Sequence, residues 1–165
     1  SLMEWLHSPI IYYADDDFLS QMLTLEPRYF NAAKMMYHYE NLYIKHDKRY
    51  LQNTAYPLKR FLYYLRGILA CRWLEEYGTL PPVFFAELVN AIVVEENICY
   101  KINELLALKK KSKENDQKEV DTELVEYAKR WADYYEQKMK SFYPEKNINN
   151  IGDLDNILRE FIINS

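Results

Sequence analysis

Glycine is scarce in this chain, with 3 residues among 165, and proline is little more frequent, with 6. Tight turns lean on both, on glycine for positive φ and on proline for a pre-set φ, so their scarcity disfavours a turn-rich all-β fold and suits helices. Cysteine is reduced to Cys71 and Cys99, each inside an apolar run and with no metal-ligand spacing; both read as reduced core thiols. The charges nearly balance, 21 Lys and Arg against 25 Asp and Glu, for a formal net charge of -4. Nothing global therefore draws the chain to nucleic acid or to an anionic membrane, although local basic patches stay open. No apolar run reaches membrane-spanning length and no secretory leader is visible, so the expectation is a cytoplasmic protein with no membrane partner. The histidines, at 7, 38 and 46, include no HxxxH pair, and there is no glycine-rich phosphate loop and no nucleophile elbow.

What is present is apolar and aromatic. Hydrophobic residues make up 49% of the chain, enough for a sizeable core in one domain of this length. Tyrosine alone accounts for 16 residues. Its ring is apolar and its hydroxyl needs a partner, which fits either a core with wet edges or a cleft that stacks on rings.

The pattern along the chain is helical. EWLHSPIIYY places β-branched residues after a proline and reads as a short extended piece. ADDDFLSQMLTL opens a helix, with Asp15 or Asp16 as cap and Asp17 in the first turn. Pro27 interrupts that pattern, and a long helix follows from Arg28 to about Lys48. TAYPLKRFLYYLRGILACRWLEEYG is the strongest segment, opened at Thr54 or at Tyr56-Pro57 and capped by Gly78. Gly67 inside it costs about 1 kcal/mol against Ala, a cost best rationalised by close helix packing. A short helix in PPVFFAELVNAI and an apolar segment from ENICY lead to LKKKSKENDQKE, read as a solvated helix end plus loop, with a phosphate-binding role for Lys109, Lys110 and Lys111 as the lesser alternative. An amphipathic helix carries Leu124, Ala128, Trp131 and Tyr135 on one stripe, and a tail helix would dock through Leu154, Ile157, Leu158 and Phe161. The expectation is all-α: a five- to six-helix bundle, with residues 1–14 as an extended segment or linker and 15–165 as the helical domain.

Two constellations bear on chemistry. Asp15, Asp16 and Asp17 tempt a metal reading, but consecutive helical residues point about 100° apart, so their carboxylates do not converge and capping is preferred. Basic and ring residues recur at helical spacing. Lys34, His38 and Asn41 share a side of the second long segment, and Lys59, Tyr63, Arg66 and Trp73 share a side of the central one, with Arg72 less well aligned. Two such stripes facing each other would suit phosphate and a stacked ring. The competing reading has Lys59 and Arg66 paired with surface glutamates, and Tyr63 and Trp73 in the core.

Several separated blocks, EWLHSPIIY, then Tyr37-His38 in a helix, then LKRFLYYLRGILACRWLEEYGTLPPVFFAEL, resemble in order the YcgL/RlaP-like predicted nucleotidyltransferases of the DNA polymerase β superfamily, over roughly residues 4 to 88. The resemblance implies an N-terminal α/β domain with a Gly-Ser motif and alternating acids for metal-dependent nucleotidyl transfer, using Mg2+ and a nucleoside triphosphate. This chain has no such motif, and its three aspartates fall after the EWLHSP block. The resemblance therefore implies a helical, substrate- or nucleotide-binding portion, inactive alone, whose partner is a catalytic domain missing here. Lys34, His38, Lys59, Tyr63, Arg66 and Arg72 become candidates for the wall that meets the nucleotide or the unknown acceptor. No catalytic residue and no metal ligand is assigned. A protein-interaction or dimerising module is the alternative and would show a flat apolar patch, with a homo-oligomer as its consequence. A scaffold that braces the catalytic domain is the third reading, marked by exposed Trp5, Ile10 and Ile11.

Overall fold

The computed structural model describes residues 2–50, 55–111 and 117–140, together with Asn156 and Arg159. The chain divides into two compact units, the first containing Ser1–Asn31 and the second running Ala32–Tyr143.

The first unit opens with a helix where an extended piece was expected: α1 spans Leu2–Leu6. Leu, Met and Glu are strong helix formers, and they outweigh the β-branched residues, which come only after Pro9. The Ser8 N–H closes this turn on the Trp5 carbonyl at 3.1 Å. Residues 7–15 then form neither helix nor strand. Next comes α2, Asp16–Tyr29, with Asp15 as its N-cap: the carboxylate accepts from the Phe18 N–H at 2.8 Å while Asp16 and Asp17 sit in the first turn. The aspartate triplet thus serves the free N–H groups and the positive end of a helix. Pro27 is tolerated in the last turn, and the backbone turns extended at Phe30. A hydrogen bond at 2.7 Å between His7 Nε2 and Glu26 Oε2 links the residue after α1 to α2.

The second unit is built on α3 (Ala32–Tyr50), α4 (Leu58–Tyr77), α5 (Phe85–Ile92), α6 (Glu96–Lys111) and α7 (Thr122–Lys140). Its centre is α4, begun after Pro57 and stopped by Gly78 at φ 64, whose N–H bonds the Leu74 carbonyl. Leu65, Ile68, Leu69, Ala70 and Cys71 in it have no exposed surface. Gly67 is explained by the α3 crossing. A Cβ there would lie 3.0 Å from the Tyr39 carbonyl oxygen and 3.1 Å from the Tyr43 Cβ, closer than a well-packed neighbour permits. Cys71 lies beside Met36, its thiol 3.8 Å from the Met36 carbonyl, while Tyr64 meets Tyr43 edge-on; α3 and α4 therefore run antiparallel.

Leu124, Ala128 and Tyr135 of α7 are buried as their spacing implied, and Trp131 is half-buried. Lys109, Lys110 and Lys111 form the exposed last turn of α6. The charge run after them contributes a feature the sequence reading lacked: β2 (Gln117–Glu119) pairs antiparallel with β1 (Ala55–Pro57), with Tyr56 opposite Lys118. The fold is all-α apart from this ribbon, and among the described residues it has one helix more than the larger expected number, the short α1. The docking helix expected in the tail lies outside the described residues. No helix is long and apolar enough to cross a membrane, among the described residues.

Candidate functional site

The antiparallel crossing separates the two stripes read from the sequence. Lys34 sits near the level of Trp73, because Met36 is abreast of Cys71. Lys59 is roughly fourteen residues further down α4, a distance of about 21 Å at helical rise. Lys34 and His38 are both exposed, and the His38 ring meets Tyr39 edge-on at 5.3 Å. Lys59 is half-buried and Tyr63 is 45% exposed. Arg66 turns toward the start of α5, donating to the Val83 carbonyl at 3.1 Å and the Pro82 carbonyl at 3.3 Å. Trp73 is held locally, its indole N–H 3.1 Å from Thr79 Oγ1 and its ring 4.4 Å from that of Tyr77.

Arg72 is the one of the six that gathers further functional groups around it. It points toward α7, where its guanidinium donates to the Tyr127 hydroxyl and lies 4.0 Å from the centre of the Trp131 ring. Arg130, on the same side of α7, places its guanidinium 5.6 Å from the Tyr127 ring and 3.7 Å from Glu95 Oε1. Glu95 belongs to the short link between α5 and α6. Two buried polar atoms here make no hydrogen bond within the protein: Glu95 Oε2 and the Trp131 indole nitrogen. Burial pushes the Tyr127 hydroxyl up to about 12 against the pull of Arg72 and Arg130, with the Glu95 charge adding to the rise. The phenol stays protonated at neutral pH, so it accepts from Arg72 and keeps a proton of its own.

One turn further along α4, Glu75 is fully engaged. It accepts from Tyr134 at 2.7 Å, from Tyr135 at 2.6 Å and from the Lys138 ammonium. Burial raises its pKa, but the bonds from Lys138, Tyr135 and Tyr134 outweigh that and hold it below the usual carboxylate value. This is a clamp between α4 and α7. Deeper in, Glu40 is only 8% exposed, and burial together with the Glu136 charge raises its pKa. Burial, then Glu40 and Glu75, push the Cys71 thiol up, so it stays a neutral core thiol rather than a nucleophile.

The Arg72 cluster therefore offers two cations for phosphate, an indole and a phenol for stacking, and an orphaned acceptor and donor for a sugar hydroxyl or a base edge. Only Arg72 of this set was legible as a site residue. The Tyr127, Arg130, Trp131 spacing, three and four apart on a helix, marks one face, but nothing local says that Arg72 meets that face.

Residues 1–160 match the model of the family described as RlaP, the RNA repair pathway DNA polymerase beta family, and the chain belongs to that family. It is similar to the uncharacterized protein YcgL of Bacillus subtilis (strain 168), with 37% identity over 115 residues, covering 70% of this chain and 44% of that relative. The chain thus spans less than half the length of the curated relative it matches. No solved structure matches it.

Proposed function

We propose that this chain is the helical portion of a metal-dependent nucleotidyltransferase and that it holds the nucleotide or the acceptor for a catalytic part lying outside it. The observation that carries this reading is the Arg72 cluster: a guanidinium stacked on Trp131 and bonded to Tyr127, beside two buried polar atoms with no protein partner. A ligand that bonds Glu95 Oε2 or the Trp131 N–H would gain a hydrogen bond without displacing one within the protein. The Arg72 and Arg130 guanidiniums would take phosphate oxygens, and the rings would take the base. Lys34 and His38 at one level of α3, and Lys59, Tyr63 and Arg66 along α4, would line the approach to the catalytic part. Mg2+ would be held by that part. The family's description makes an RNA end the acceptor to try first.

Calorimetric titration tests the reading, with ribonucleoside triphosphates and Mg2+ in one series and short RNAs in another. Wild type should bind one of them saturably. Arg130→Ala, whose side chain is 68% exposed, should keep the fold and weaken binding about tenfold, the loss of one charge-assisted contact. Absence of saturable binding to either ligand class defeats the reading.

A further inference from the structure

Among the described residues, the first unit presents an open apolar surface. Trp5 is 68% exposed, Ile10 67%, Ile11 63%, Tyr12 97% and Tyr13 86%. With Phe18 they border a groove of about 400 Å³. The Ser8 hydroxyl bonds within its own turn to the Ile10 backbone and the Asp15 carboxylate caps α2, so the remaining polar atoms of the lining side chains are the tips of Trp5, Tyr12 and Tyr13, on largely exposed rings of the kind enriched at protein interfaces. The groove therefore fits a macromolecular face better than a small ligand, which needs a few convergent polar groups. Three rings and two isoleucines supply on the order of 700 Å² of apolar surface, close to one side of a standard protein–protein interface. Asp16 and Asp17, both exposed, place negative charge at its edge.

We propose that this surface docks the nucleotidyltransferase part that longer members of the family carry, through an apolar centre with a basic rim facing Asp16 and Asp17. Two observations select this occupant. The chain spans 44% of the B. subtilis relative, so more than half of that protein has surface to offer, and the family match includes the segment in question. Tyr12 and Tyr13 lie in a stretch with no helix or strand, free to follow a partner's contour. The proposal shares the family assignment with the substrate-holding reading but involves none of the Arg72 cluster, so either can fail alone.

Hydrogen exchange on the 165-residue chain and on intact YcgL of B. subtilis tests it. Amides at residues 10–13 should exchange within seconds in the chain, while the aligned amides of intact YcgL should be slowed at least a hundredfold. Serine substitutions at the positions aligned with Ile10 and Ile11 should abolish that slowing in YcgL, whereas Ile10→Ser with Ile11→Ser should leave the melting temperature of this chain within a degree. Equal exchange in the two proteins overturns the proposal. So does slow exchange in the chain that disappears on dilution, which would make the occupant a second copy.

Discussion

Leu69 and Ile10 are aliphatic side chains of equal size with opposite fates. Leu69, at the middle of α4, has no exposed surface, while Ile10, in the irregular stretch before α2, keeps 67% of its own. In the unit that holds Leu69, α3, α4 and α7 pack on one another, and even the polar groups between α4 and α7 are mostly paired. Ile10 and four neighbours, Trp5, Ile11, Tyr12 and Tyr13, are exposed. The first region explains why the unit Ala32–Tyr143 holds together; the second leaves its apolar side chains open to water. Burial free energy scales with the area removed from water, so mutations should report the difference directly.

The largest effect is expected at the centre. Leu69→Ala should cost about 2–5 kcal/mol in denaturant unfolding, the range for deleting a buried leucine. Gly67→Ala comes next, at about 1–3 kcal/mol, because the new Cβ presses on the Tyr39 backbone oxygen; the intrinsic helix preference for alanine, about 1 kcal/mol, offsets only part. A loss at Gly67 no larger than at a surface site would show that α3 and α4 do not cross where the structure has them.

Two carboxylates should then move stability in opposite senses with pH. The folded pKa of Glu75 is depressed, so its contribution is present above the ordinary value of 4.5 and is lost as pH falls through the lowered one. Glu75→Gln should lower the melting temperature at pH 7 and converge with wild type in acid. The folded pKa of Glu40 is raised, so ionising it opposes folding, and stability declines as pH rises from 4.5 through the raised value. Glu40→Gln should raise the melting temperature at pH 7, with the gain fading toward pH 4. Parallel pH profiles for the two variants would show that the bonds from Lys138, Tyr135 and Tyr134 do not outweigh burial at Glu75. The smallest effect belongs to the outward-facing residues: Ile11→Ser in this chain should change stability by no more than about 0.5 kcal/mol.

Much of the scaffold was readable because its signals are local. Asp15 caps α2, and Pro57 and Gly78 bracket α4, each within a turn or two of the chain; Gly67 stands out because a glycine inside a helix needs a close neighbour to explain it. The misreading of Leu2–Leu6 came from weighting the β-branched residues after Pro9 over the helix formers before it. The candidate site was harder. Helical spacing places Lys59, Tyr63 and Arg66 on one side of α4, yet says nothing of the direction in which α3 crosses, and the antiparallel crossing sets Lys34 and Lys59 at opposite ends. Arg72 looked poorly aligned because its partners, Tyr127 and Trp131, come from a helix more than fifty positions away, and no periodicity reports such a pairing. The ribbon of Gln117–Glu119 on Ala55–Pro57 was missed for the same reason.

The most direct test of the substrate-holding role is a nuclear magnetic resonance titration that follows the three indole N–H signals, of Trp5, Trp73 and Trp131, as a ribonucleoside triphosphate with Mg2+ or a short RNA is added. The account predicts that the Trp131 signal, whose nitrogen has no protein partner, shifts saturably with one of these ligands while that of Trp5 stays in place. A Trp131 signal that does not move with either ligand, or movement confined to Trp5, would contradict it.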